Sequence, residues 1–191
     1  MRLSRLQVRK LFLGRSKDVS HEFIANDGEM APGSGIADVA SASVKYSVSK
    51  IGDIYTTRIF MDVTGCMGAG TAGDIIGGNA AANCHWGRIT TAINGVIYGG
   101  TLDCFETPAG GNVDINVYSG DVSTGVENVA IGTGIVETLL VNSGNLTGGD
   151  ATRGLAGTPT AGDYIYLTAG TATDVEFTAG ELMLTLYGLA S

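Results

Sequence analysis

The chain has 191 residues, of which 44% are hydrophobic, 16% are charged and 30 are glycine. This excludes a disordered chain, which is polar and highly charged. It also excludes collagen, because the glycines have no period of three, and a coiled coil, for which Leu, Glu and Lys are too sparse. The formal net charge of −8 is unevenly spread. Arg2, Arg5, Arg9, Lys10, Arg15 and Lys17 precede the first acid, Asp18, so the first 17 residues carry +6. The remainder holds five basic and 19 acidic residues, a net of −14. Such asymmetry marks an interaction tail on an acidic body, and the body's sign argues against nucleic acid on its main face.

No apolar run reaches the ~18 residues of a membrane span. The stretch Leu11, Phe12, Leu13 is too short for a signal sequence. A protein made and folded in a cytoplasm is therefore expected, with no membrane partner. Three cysteines at irregular spacing (Cys66, Cys84, Cys104) form no disulfide framework and are expected as free thiols.

In chain order, residues 1–43 read as a basic arm (1–17) followed by an irregular connection (18–43). Within the arm, Arg2, Arg5 and Arg9 share one helical face and Leu3 and Leu6 another. Arg2, Arg5, Arg9, Lys10, Leu11, Phe12, Leu13, Arg15 and Lys17 together make a candidate arm that docks on an acidic protein surface. Residues 44–191 read as one β domain. Period-2 alternation predicts strands over 54–64, 112–118, 164–168 and 181–187. Residues 44–49, 85–93 and 96–106 are further strand candidates, with Asn94-Gly95 between the last two as a two-residue hairpin signal. Residues 132–142 could fill one helical face for a turn or two. The expected fold is all-β: an antiparallel β-sandwich of seven to nine strands, of jelly-roll type, with an extended basic N-terminal arm. The phrase Thr-Ala-Gly-Asp/Glu at 71–74, 160–163 and 178–181 reads as a turn that launches a strand, its acid keeping the strand end in solvent.

The chemistry-bearing residues are few. His21 and His85 stand apart, and Cys66, Cys84 and Cys104 lack the short paired spacing of a zinc site. There is no Gly-x-Ser-x-Gly elbow. The glycine-rich stretch 65–70 fits no phosphate-binding pattern and reads as a mobile loop. Asp114, Asn116 and Asp121 do not have calcium-loop spacing. Asp103 with Glu106, or Asp114 with Asp121, would need sugar platforms to act as a glycosidase pair. The expectation is a protein that is not an enzyme and takes no cofactor or metal. Trp86, Tyr98 and Tyr118 are candidates for an oligomer interface.

Val48-Ser49-Lys50-Ile51-Gly52-Asp53-Ile54-Tyr55, Asp62-Val63-Thr64-Gly65, Gly70-Thr71-Ala72-Gly73-Asp74, Glu106-Thr107-Pro108-Ala109-Gly110-Gly111 and the closing Leu186-Tyr187-Gly188 resemble virion structural proteins of tailed phages of aquatic bacteria. The resemblance spans residues 44–188 and brings no catalytic residues. It implies a capsid decoration (cement) protein, a homotrimer on the capsid surface whose partner is the major capsid protein or another virion protein. Two alternatives stand beside it. One is a tail, neck or head-fibre component or receptor-binding module, for which Tyr164 and Tyr166 could serve sugar. The other is a jelly-roll coat protein whose arm binds the genome, although +6 is little for that task and nucleic acid is not the expected partner.

Overall fold

The computed structural model describes residues 22–24, 30–149 and 153–191. The nine basic and apolar arm positions named above lie outside these residues. Among those described, the strands are β1 (Glu22–Ile24), β2 (Ser43–Ile51), β3 (Ile54–Asp62), β4 (Val96–Ala109), β5 (Ile115–Gly120), β6 (Glu137–Val141), β7 (Arg153–Gly154), β8 (Tyr164–Ala169) and β9 (Ala179–Leu189). Two single helical turns accompany them, α1 (Ser34–Ala37) and α2 (Thr91–Asn94). One sheet has the order β1-β2-β3-β9-β4-β7 and the other β6-β5-β8. All strand pairs are antiparallel.

Alternation explains the long strands. On β3, Tyr55, Thr57, Ile59 and Met61 are buried and their neighbours are not. On β9, Leu182, Leu184 and Leu186 are buried directly opposite Met61, Ile59 and Thr57. This inner row meets Ile115, Val117, Ile165 and Leu167 of the small sheet in a single core. Each such aliphatic side chain stabilises by about 1.5–3 kcal/mol when fully buried. The architecture is therefore all-β and sandwich-like. Its strand order gives no support to a jelly roll, which sets eight strands in two Greek keys. Here β1, β2 and β3 form a simple meander at one side of a six-stranded sheet.

Irregular segments close the two open sides. The Ile76 and Trp86 N–H groups donate to Leu167 and Ile165 carbonyls of β8 at 2.9 and 2.7 Å. On the other side, the Leu155 N–H bonds Gly100 of β4 and the Ala156 N–H bonds Leu140 of β6. Unpaired edges are thereby covered, and β8 becomes buried on both faces.

Several sequence expectations are corrected. Residues 85–93 are not a strand and Asn94-Gly95 is not a hairpin: Thr90 caps the α2 turn, whose last residue is Asn94. The 132–142 segment forms strand β6 and no helix. Residues 65–70 are not a free loop, because Gly65, Gly68 and Ala69 are hydrogen-bonded to residues 173–177. The connection before residue 44 supplies β1, α1 and two core side chains, Met30 and Ile36. At 71–74 and 160–163 the repeated phrase is a closed turn, with positive φ at Gly73 and Gly162. Its acids are not solvated: Asp74 and Asp163 are buried, and Asp163 Oδ2 accepts from the Thr160 N–H at 2.9 Å and the Ser119 hydroxyl at 2.8 Å.

Candidate partner-binding surface

The outer face of the large sheet carries opposite chemistry at its two ends. At one end Ile51 pairs with Ile54, Ile54 with Leu189, and Leu189 with Val96. Paired residues share a face, so these four side chains form one row across β2, β3, β9 and β4. Three strand spacings make it about 14 Å wide. Their exposures are 46%, 47%, 45% and 54%, although each is aliphatic. Tyr98, also half-exposed, extends the row along β4, where its ring lies 6.4 Å from that of Tyr187. At the other end Asp62 pairs with Glu181 and Glu181 with Glu106, setting three acids side by side.

Local chemistry fixes this end in shape. The β2–β3 turn consists of Gly52 and Asp53, with Gly52 at φ +59°, and the Ala190 N–H donates to Asp53 O at 2.8 Å. Gly95, at φ +69°, turns the chain from α2 into Val96. A cleft of about 240 Å³ flanks the row, lined by Ile89, Val96, Ile97, Thr158 and Pro159 among others. Strand β1 pairs Glu22 with Lys50, one residue from Ile51. Strand β1 therefore begins at the apolar end, and the basic segment precedes it in sequence.

The three interface candidates differ in position. Tyr98 is on this surface. Trp86 is fully buried, with Tyr46 donating its hydroxyl to the Trp86 carbonyl at 2.8 Å, so it serves the core and cannot line an interface between folded bodies. Tyr118 is half-buried and packs against the core. The sequence reading missed Ile51, Ile54, Val96 and Leu189. Their signal was present as apolar residues at outward positions of strands whose inward positions are also apolar.

Elsewhere, burial shifts potentially reactive groups toward their neutral forms. Burial pushes the Cys66 thiol up to about 12 and Cys84 to about 11, and the three cysteines are buried and form no disulfide. A thiol of that kind packs and does not attack. Burial lowers His85 to about 4, where its ring lies 4.7 Å from Tyr164. Burial raises Glu127, opposed by the Ala80 N–H it accepts and reinforced by Asp174 and Asp74. Tyr164 and Tyr166 form no sugar platform: Tyr166 is fully buried and donates its hydroxyl to Val122 O at 2.6 Å. Among the described residues no group of three or more His, Cys, Asp or Glu is placed to hold a metal ion. Asn116 Oδ1 accepts the Ser143 N–H and Asp121 Oδ1 the Val136 N–H, so both oxygens already bond the backbone.

No family model, curated protein or solved structure matches the chain. The candidate partner-binding surface therefore rests on its own geometry: an uncharged apolar row, an aromatic pair, and the start of β1 beside them. No helix among the described residues is long and apolar enough to cross a membrane.

Proposed function

We propose that this protein is a structural component of a tailed-phage particle, a capsid decoration protein that assembles as a trimer on the outer shell. The observation that carries the reading is the coincidence, at one end of the large sheet, of the Ile51–Ile54–Leu189–Val96 row and the start of β1, the strand that the basic segment precedes in sequence. Apolar rows of this kind become buried on association. A basic segment beside one suits an acidic protein surface, and three linked weak arms gain avidity that a single arm lacks. The body then supplies the trimer, and residues 1–17 the grip on neighbouring capsid subunits.

Each exposed ion pair contributes only ~0.2–1 kcal/mol, so the six charges act as a set and weaken with salt. Pelleting with emptied capsids of the encoding phage tests the proposal. The full chain is expected to coat the shells, and a chain lacking residues 1–17 to coat them at least tenfold less. Equal coating by both would contradict the role of the arm. Failure of the full chain to coat at all would contradict the decoration role.

A further inference from the structure

We infer that the Ile51–Ile54–Leu189–Val96 row, with Tyr98, is a self-association face whose occupant is the same row of a second copy of this chain. Three features of the molecule select that occupant.

The first is chemical likeness. The row is aliphatic from edge to edge, so another aliphatic surface of the same kind removes it from water. The second is charge. Residues 18–191 carry −14, so two copies repel wherever their acids face each other. On the outer sheet face the acids Asp62, Glu181 and Glu106 stand at the far end from the row. Docking through the apolar end keeps these three acids of the two copies apart; among the described residues the acids beside it are Asp53 at the turn and Glu22, opposite Lys50. The third is where β1 begins. Glu22 lies opposite Lys50, so β1 starts beside the row, and the +6 segment precedes it in sequence. A second copy docked there brings an acidic body toward the chain that carries those basic residues, a complement that neutral lipid or an uncharged apolar peptide does not offer. At a threefold axis three such rows converge, each touching two neighbours.

The inference deepens the proposed function and rests on it only for the number of copies. Its test is sedimentation velocity on the full chain and on Ile54→Asp, Leu189→Asp and Val136→Asp, with thermal melts to establish that each is folded. Val136 is exposed but precedes β6 in the other sheet. The native chain and Val136→Asp are expected to sediment as oligomers. Ile54→Asp and Leu189→Asp are expected to sediment as folded monomers, with dissociation constants raised at least tenfold. Should one variant fail to fold, the other retains the test, and Ile51→Asp at the turn gives a third. Retention of the native mass by folded row variants would overturn the inference. So would a monomeric native chain, and binding of that monomer to neutral phosphatidylcholine vesicles would assign the row to lipid instead. A monomeric chain that still coats capsids would leave the decoration role standing and remove the trimer; an oligomer that coats none would leave only the self-association face.

Discussion

Asn94 shows how much one buried amide can organise. It is fully buried; its Nδ2 donates to Thr57 Oγ1 at 2.9 Å, and its Oδ1 accepts the Thr90 N–H at 2.8 Å. It thereby ties α2 to β3 and to its own first turn. Asn94→Ala strands both partners, and each unsatisfied buried group costs ~1–3 kcal/mol. A melting temperature lower by roughly 5–10 °C is expected for a chain of this size; a shift below about 1 °C would contradict the assignment. His85 gives a pH dependence. Its folded value is depressed to about 4 against about 6.5 unfolded, because burial disfavours the charged ring. Between these values the unfolded chain binds more protons, so His85 contributes stability above pH 6.5 that is lost as pH falls through 4. Glu127, raised by burial, has the opposite sense and is common to both proteins in a comparison. From pH 7 to 4 the native protein should lose on the order of 2 kcal/mol more stability than His85→Phe, measured by urea denaturation. Equal losses would sink the claim.

At the scale of elements, the strands were legible where one face is apolar and the other is not. β3 and β9 follow the expected alternation almost residue for residue. The misses share a cause, since their partners lie far away in sequence. Residues 65–70 read as a loop because nothing local shows that residues 173–177 will bond them. Asn94-Gly95 read as a hairpin because its composition suits one, whereas the buried contacts of Asn94 make it the end of a helical turn. Close approach at α2 also explains Gly188 of β9: a Cβ there would lie 1.9 Å from Asn94 O, whereas at Gly99 of β4 nothing lies within 4 Å. Gly188→Ala should therefore cost about 3 kcal/mol, since overpacking a tight site typically costs 1–3 kcal/mol and occasionally more. Gly99→Ala should be near neutral, and equal melting temperatures for the two variants would refute the close-approach argument. The acidic row makes a further prediction. Like charges directly opposite on a sheet destabilise by roughly 0.2–1 kcal/mol, so Glu181→Gln, between Asp62 and Glu106, should raise the melting temperature by about 1–3 °C at low salt and by less at 1 M.

The whole molecule joins a body of one charge sign to a leading segment of the other, and its large sheet presents a face that is apolar at one end and acidic at the other. The charge division was legible from the order of residues alone. The apolar row was not, because it exists only once β2, β3, β9 and β4 are placed side by side in register, and Leu189 and Val96 are brought together from 93 positions apart. Apolar burial and charge attraction respond oppositely to salt: screening weakens the ion pairs, while apolar association persists. The most direct measurement is the mass of the full chain by light scattering coupled to size exclusion, at low salt and at 1 M. A trimer at both salt concentrations is the predicted result, with the bodies held by their apolar ends. A monomer at both would contradict the account.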